Sequence, residues 1–351
     1  MAHARRIALN LALQGGGVHG AFTWGVLDRL LDDEAIEFRW VSAGAMNATA
    51  LASGLLAGGR QAARERLSAL WRGVSAFASR DVTRLNPLLF GLTRAAMGTM
   101  NGIVSPYEFN PLGVDPLREL VERVIDFKAL AGAHAKLDLV ITATDVATGR
   151  ARRFRRAEIS SDVLLASACL PTLHHAVEIG GRAYWDGGFS ANPDLLEIAG
   201  ASRVGDTLMV VLNPLDAPGT PRGAREIAGA ANRITFNQPL LRDVDAILAA
   251  RRQGRGWFHR RTREHAIAAH RFHMITAGRY TAALSHDSKS KPDAELIGYL
   301  YNVGRGETEK WLANARQHVG LKDTADLETR FALPDFAPAR RPLATKAEAA
   351  E

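Results

Sequence analysis

A glycine-rich loop near the amino terminus most constrains the fold of this chain. The loop, QGGGVHG at residues 14–20, follows the run IALNLAL (7–13), which is nearly continuous in apolar residues, as is typical of a parallel strand buried on both faces. After the loop, apolar residues recur at helical spacing in AFTWGVLDRLLDDE (21–34). A buried strand that leads through glycines into a helix predicts an α/β fold whose sheet has helices on both faces.

The spacing of the loop glycines permits two interpretations. Gly15, Gly17 and Gly20 match the pattern GxGxxG, which binds dinucleotides when it lies between a strand and a helix. The same geometry serves as an oxyanion hole, in which backbone N–H groups face the charge of a tetrahedral intermediate. A dinucleotide site also needs an acidic residue at the end of the second strand, and Val41 and Ser42 stand there. The missing acid favours the oxyanion hole.

A candidate nucleophile, Ser42, follows the second predicted strand, IEFRWV (36–41), in which Ile36, Phe38 and Trp40 alternate. A small-residue helix then runs to a stop at Gly58 and Gly59. A serine in a strand-to-helix turn forms a nucleophile elbow, which needs small residues two positions before and after it. Gly44 meets the second requirement, whereas Trp40 violates the first. Serine is also a common helix N-cap, so this segment alone leaves both interpretations open.

A serine nucleophile needs a base, and Asp186 in YWDGGFSANP is the first candidate. Gly187 and Gly188 let the backbone bend tightly there and approach another segment. Asp-Gly is also a frequent turn dipeptide, in which the acid only caps its own backbone. A Ser–His pair is the alternative, with bases drawn from His19, His174 and His175. The later histidines, at positions 259, 265, 270 and 273, form no metal-ligand pattern, so we expect no metal and no cofactor.

The remaining chain divides by composition. Residues 61–130 read as a helical cap or lid, residues 214–331 as a helical and basic carboxy-terminal extension, and residues 332–351 as a disordered tail. The arginine-rich stretch 251–273 reads as a solvated helix face, because no nucleic-acid-binding signature accompanies it. The net charge of +7 favours anionic partners such as a lipid surface.

Composition also bears on the compartment. The one cysteine, Cys169, excludes an intramolecular disulfide and fits a reducing compartment. The apolar run after the amino-terminal arginines leads directly into glycines, which favours a strand over a signal peptide. No uninterrupted apolar segment reaches the roughly 20 residues that cross a bilayer. We therefore expect a cytoplasmic protein, compatible with peripheral association with a membrane.

Taken together, three segments resemble the patatin-like phospholipase family of Ser–Asp acyl hydrolases: QGGGVHGAFTWGVL, VSAGAMNA and YWDGGFSANP. The resemblance spans roughly residues 7–213 and implies a three-layer α/β/α fold with a mostly parallel sheet. It implies Ser42 as nucleophile, Asp186 as general base, and the amides of Gly15, Gly16 and Gly17 as the oxyanion hole. Gly20, Gly44, Gly187 and Gly188 would support the elbow and turns. The implied reaction is hydrolysis of acyl esters of phospholipids or neutral lipids without a cofactor.

The elbow departs from the family pattern Gly-x-Ser-x-Gly. Trp40 and Val41 stand where the family has glycine and commonly threonine, and the run from the glycine loop to the serine is about three residues shorter. A strand shortened by an odd number of residues turns its side chains to the other face of the sheet. The sequence therefore supports two hypotheses: a working lipid acyl hydrolase, and a catalytically impaired protein of the same fold that binds a lipid or a partner.

Overall fold

A single eight-stranded sheet organises the chain. The computed structural model describes residues 6–42, 45–79, 105–109, 115–132, 137–217, 219–253, 262–282, 284, 286–289 and 292–331. The strands are β1 (Ile7–Leu13), β2 (Ile36–Ser42), β3 (Asp138–Asp145), β4 (Ala151–Arg155), β5 (Val177–Ile179), β6 (Arg182–Asp186), β7 (Asp206–Val211) and β8 (Arg271–Thr276). Their order is β5-β6-β3-β2-β1-β7-β8, and β4 pairs with β3. The pairs among β3, β2, β1, β7 and β8 are parallel, which confirms the predicted mostly parallel sheet.

Helices cover both faces of the sheet. They are α1 (Gly20–Leu31), α2 (Ala45–Ser79), α3 (Pro106–Phe109), α4 (Pro116–Val124), α5 (Phe127–Ala131), α6 (Ser161–Ser167), α7 (Leu195–Ala201), α8 (Ala224–Arg252), α9 (Arg263–Ala269), α10 (Gly278–Thr281), α11 (Ala294–Asn314) and α12 (Leu327–Phe331). Helix α2 is interrupted at Gly58 and Gly59, which have non-helical dihedral angles, as the sequence predicted. An Asp, Ser or Thr side chain accepts a hydrogen bond from a first-turn amide in α4, α5, α6, α7, α9 and α11.

Two apolar clusters, one on each side of the sheet, make the three layers. The first face packs against α1, α2, α4, α6 and α11 and includes Leu11, Val41 and Ile141. The second face packs against α7, α8 and α12 and includes Trp40 and Val140. The strands of the parallel part are buried on both faces, so apolar side chains stand at consecutive positions of β1, β3 and β7.

An irregularity in β2 overturns one prediction. Leu9 pairs with Phe38, but the next residue of β1 pairs with Trp40, so Arg39 is the extra residue of a bulge. Phe38 therefore belongs to the first face and Trp40 to the second. The prediction that Ile36, Phe38 and Trp40 share one face was wrong at Trp40, because the bulge reverses the alternation between positions 38 and 40.

The carboxy-terminal segment is more than the helical extension predicted for residues 214–331. It supplies β8, which pairs with β7 from Arg271 to Thr276 and extends the sheet. It also supplies α11, which packs along α1. The predicted disordered tail, residues 332–351, lies outside the described residues, and so do residues 80–104 and 110–114 of the predicted cap (61–130).

Helices α1 and α11 cross in close contact through two glycines. A Cβ atom on Gly304 would lie 2.1 Å from the carbonyl oxygen of Phe22, and one on Gly25 would lie 2.0 Å from the carbonyl oxygen of Tyr301. A side chain at either position would push the helices apart. Gly306 lies on the exposed side of α11, and a Cβ atom there would meet nothing within 4 Å.

We expect Gly304→Ala to lower the free energy of unfolding by about 1–3 kcal/mol, because the added methyl overpacks the helix contact. Gly306→Ala on the same helix should instead raise it by about 0.5–1 kcal/mol through helix propensity. Urea unfolding followed by circular dichroism measures both. Equal shifts in the two variants would contradict the close crossing.

Candidate functional site

The predicted nucleophile and base terminate two strands that lie on the same edge of β3. Val140 of β3 pairs with Ser42 of β2, and Ala143 pairs with Asp186 of β6. Strand β4 pairs with both Val140 and Ala143, and a strand residue has one partner on each edge, so β2 and β6 share the opposite edge. Ser42 and Asp186 are therefore facing strand ends, three β3 residues or about 10 Å apart along the edge.

The two side chains do not meet in this conformation. Ser42 pairs with Val140 and so shares the second face of the sheet with it, whereas Asp186 pairs with Ala143, which belongs to the first face. Ser42 is fully buried, and its Oγ atom has no hydrogen-bond partner in the part of the chain that the structure describes. Neither an aspartate nor a histidine therefore contacts this hydroxyl among those residues.

Asp186 has the environment of a base. Burial raises the pKa of its carboxyl to about 7, and this net value includes the smaller, opposing effect of the hydrogen bond from the Gly188 amide. The carboxylate Oδ1 accepts that bond at 2.7 Å, and the Asp186 amide donates to the carbonyl of Cys169 at 2.8 Å. A carboxyl with a pKa near neutrality can take a proton from a hydroxyl and return it.

The two glycines after Asp186 permit close backbone contacts. A Cβ atom on Gly187 would lie 2.0 Å from the carbonyl oxygen of Thr142 in β3, and one on Gly188 would lie 2.5 Å from the Phe236 ring of α8. The turn thus passes between β3 and α8 with no room for a side chain. Its role in supporting a catalytic turn stays a prediction.

The glycine loop is held by an asparagine from the Asp186 turn. The Gly15 amide donates to Asn192 Oδ1 at 2.7 Å, and Asn192 Nδ2 donates to the carbonyl of Phe236 at 3.1 Å. The Gly15 amide is therefore already engaged, which leaves the amides of Gly16 and Gly17 as the candidate oxyanion donors. Gly17 has a φ of 56°, a left-handed conformation that favours glycine.

The other glycines predicted for the elbow have different positions. Gly20 begins α1, and a Cβ atom there would lie 3.2 Å from both Asn47 Nδ2 and the Trp71 ring, so it permits close packing of α1 on α2. Gly44, between Ser42 and the start of α2, lies outside the described residues.

Residues that the sequence analysis did not single out connect these loops. Gln14 Oε1 accepts from the amides of Leu212 and Asn213, and its Nε2 donates to Asn237 Oδ1 of α8 at 3.2 Å. The amide side chains of Gln14, Asn192 and Asn237 therefore bind the ends of β1 and β7 and the Asp186 turn to α8. Asn192 lies within YWDGGFSANP, the segment that resembles the family, and this position is the one feature of the sequence that pointed to a role for it.

A short carboxy-terminal segment crosses the glycine loop. A Cβ atom on Gly17 would lie 2.2 Å from the carbonyl oxygen of Lys289, and Ser288 Oγ lies 2.7 Å from His19 Nε2. Lys289 Nζ donates to Asn213 Oδ1 at 2.7 Å. Burial and, second to it, the positive charge of Arg233 together lower the pKa of the Lys289 ammonium to about 8. Nothing in the sequence indicated this long-range contact.

The alternative bases lie apart from Ser42. His174 and His175 line an open cavity of about 260 Å³ together with Cys169 and Asp115. His175 Nε2 lies 3.1 Å from the carbonyl of Pro106, and burial lowers the pKa of His174. His19, at the start of α1, contacts Ser288. A Ser–His pair is therefore not formed by these three residues.

The described residues also bear on metal binding and on membrane insertion. Within the described ranges, no three histidine, cysteine or acidic side chains cluster closely enough to ligate a metal ion. Among the helices of those same ranges, none combines the length and apolar character that spanning a bilayer requires.

Comparison with known proteins places the chain in a family. A solved structure of full-length SpcU in complex with full-length ExoU, from the type III secretion system of Pseudomonas aeruginosa, is 17% identical, with a TM-score of 0.26 over 68% of this chain. The alignment spans about half of that protein, 51% of its length. No curated protein matches in sequence. The profile described as Patatin-like phospholipase matches residues 11–198, more than half of the chain, which contain the glycine loop, Ser42 and Asp186. The chain belongs to the patatin-like phospholipase family.

Proposed function

We propose that this protein is a serine lipid acyl hydrolase of the phospholipase A or esterase type. Ser42 is the nucleophile, Asp186 is the general base, and glycine-loop amides stabilise the oxyanion. The convergence of the three segments carries the proposal: Ser42 and Asp186 end strands on one edge of β3, and Asn192 binds the Asp186 turn to Gly15. The substrate is an acyl ester of a phospholipid or neutral lipid, and no metal or cofactor takes part.

The reaction follows from the properties of these groups. The Asp186 carboxylate takes the hydroxyl proton of Ser42 while Oγ attacks the ester carbonyl carbon. The amides of Gly16 and Gly17 donate to the oxyanion of the tetrahedral intermediate. Asp186 returns the proton to the departing alcohol, and the acyl group stays on Ser42. Water, deprotonated by Asp186, then releases the fatty acid and restores the serine.

One rearrangement of β2 joins the two side chains. If the bulge at Arg39 straightens, Ser42 pairs with Leu13 instead of Ala12, since every residue after Phe38 advances by one position. Ser42 then moves about 3.3 Å toward Asp186, and its side chain turns to the first face of the sheet. The described conformation is in this proposal a resting state, and the straightened strand is the reactive one.

A second candidate function is favoured by the contacts of Trp40. This side chain is 5% exposed in the second-face cluster, and the Arg155 guanidinium lies 5.9 Å from its ring centre. Removing so large an apolar side chain from its site costs several kcal/mol, on the order of 3–5 for a tryptophan. If Trp40 holds the bulge permanently, the protein is a catalytically impaired member of the family that binds a lipid or a partner.

Fluorophosphonate labelling tests the nucleophile and the base together. We expect one adduct, located on Ser42 by peptide mapping and absent in Ser42→Ala. Its rate should rise as the pH rises through about 7, because Asp186 becomes a base when it loses its proton. Asp186→Asn should lower the rate on the order of a hundredfold or more. No adduct on folded wild-type protein would reject the hydrolase and favour the second candidate.

The buried carboxyl also predicts a pH-dependent stability. The pKa of Asp186 rises from 3.8 to about 7 on folding, so the folded state binds the extra proton between these values and stability falls as the pH rises through them. Asp186→Asn lacks this loss and should be more stable than wild type at pH 8 by a few kcal/mol, since each unit of pKa shift corresponds to about 1.4 kcal/mol. Urea unfolding at pH 4 and pH 8 measures the difference. Glu295→Gln, at an exposed position, is the control, and an equal gain there would contradict the prediction.

Substitution of Trp40 distinguishes a releasable bulge from a working tryptophan. We expect Trp40→Gly to increase the rate of Ser42 labelling per folded molecule, because the strand loses the side chain that anchors the bulge. Trp40→Phe keeps an aromatic anchor and should label as wild type does. Loss of labelling in folded Trp40→Gly would mean instead that Trp40 belongs to the reactive site.

A further inference from the structure

Helix α8 lies directly beside the proposed site. The Phe236 carbonyl accepts from Asn192 Nδ2 at 3.1 Å, and Asn237 Oδ1 accepts from Gln14 Nε2 at 3.2 Å. The Phe236 ring also contacts Gly188 of the Asp186 turn. One turn of α8 is therefore bonded to both the glycine loop and the turn that carries the base. About three helical turns, from Ala224 onward, precede this turn in α8.

Those first turns expose an apolar face. Ile227 is 51% exposed and Ile234 is 52% exposed, and both are among the most exposed large apolar side chains of the described residues. At 100° per residue the two isoleucines lie about 20° apart around the helix, and the alanines at 224, 228 and 231 lie with them within an arc of about 120°. The α8 apolar face consists of Ala224, Ile227, Ala228, Ala231 and Ile234, all of them exposed. A helix turns such a stripe toward a partner rather than toward water.

The charges around this face suit an anionic partner. Arg222 is exposed just before the helix, and Arg233 lies on its flank, near enough to Lys289 for its charge to lower the pKa of that ammonium. The acid of the same turns, Glu226, accepts hydrogen bonds from the amides of Arg222 and Gly223 at the start of α8. Its negative charge is thus partly compensated by the helix terminus, and the chain as a whole carries +7.

We propose that the α8 apolar face docks on an anionic phospholipid bilayer. The isoleucines insert among the lipids, and the neighbouring arginines meet the phosphate groups. The buried contact between Asn192 and Phe236 then lies one helical turn or less from the docked face. The choice of a bilayer as occupant follows from the charge of the chain. The further statement that docking delivers substrate rests on the proposed function, whereas the docking itself does not.

Sedimentation with vesicles tests the docking directly. We expect the wild-type chain to bind vesicles of phosphatidylcholine and phosphatidylglycerol, less tightly as salt is raised, and weakly to phosphatidylcholine alone. The double variant Ile227→Asp and Ile234→Asp should bind the anionic vesicles at least tenfold more weakly. Leu321→Asp is the matched control, because Leu321 is 66% exposed and lies next to Gly320, whose amide binds Asp206 at the opposite end of β7.

The outcomes separate docking from catalysis. Labelling of Ser42 by a soluble fluorophosphonate should be unchanged in the double variant, since neither isoleucine belongs to the proposed catalytic groups. Vesicle binding without any labelling would reject the hydrolase and leave the docking surface standing. The docking proposal is overturned if wild type ignores the anionic vesicles, if the double variant binds them as wild type does, or if Leu321→Asp loses binding equally. It is also overturned if the isoleucine variant instead dissociates a dimer, measured by analytical ultracentrifugation.

Discussion

The shared edge of β3 is the constraint on which the site depends. Because β4 occupies the other edge, β2 and β6 must follow each other along one line, and their ends at Ser42 and Asp186 face each other. The distance between the two residues is then a matter of register, counted in steps of about 3.3 Å. Two consequences follow from the period of two along a strand. A one-residue advance of β2 both shortens the gap and turns the serine to the face of the base.

The register of β2 that buries Trp40 differs from the register that the proposed reaction needs. With the bulge, Trp40 enters the second-face cluster, and Arg39 stays half-buried in an ion pair with Glu37. Without the bulge, Arg39 would take the place on the second face, and Trp40 would move to the first. Moving the Arg39 guanidinium into that apolar cluster would cost free energy because it loses solvation, whereas the Trp40 ring is accommodated there. Arg39 and Trp40 therefore hold the strand in the register that buries Ser42, and Trp40 stands where the family pattern has glycine.

The features of the fold that the sequence predicts are those set by local geometry and by the periodicity of apolar residues. The apolar run of β1, the helical spacing of α1 and the helix break at Gly58 and Gly59 could all be predicted, because each follows from short-range geometry. The bulge could not be predicted, because the faces of the sheet on which Arg39 and Trp40 lie depend on how β2 pairs with β1 and β3. Strand β8 was not predicted, because its first residues lie in the arginine-rich stretch 251–273, which was interpreted as a solvated helix face. The hydrogen bond from Gly15 to Asn192 joins positions 177 residues apart, beyond any local signal.

The parts of the site differ in how firmly they are held. The glycine loop and the Asp186 turn are hydrogen-bonded to α8 through Gln14, Asn192 and Asn237. Lys289 adds a hydrogen bond to Asn213, which follows β7. The helix that carries the α8 apolar face is therefore hydrogen-bonded to the segments that carry the proposed base, Asp186, and the proposed oxyanion amides of Gly16 and Gly17. Helix α2, which follows Ser42, is bound to the last residue of the glycine loop, because Asn47 Nδ2 donates to the carbonyl of Gly20. In the proposed mechanism, the movement that brings Ser42 to Asp186 accordingly occurs within β2, while the segments around it stay hydrogen-bonded to one another. A lipid surface that positions α8 would then orient Asp186 without itself moving Ser42.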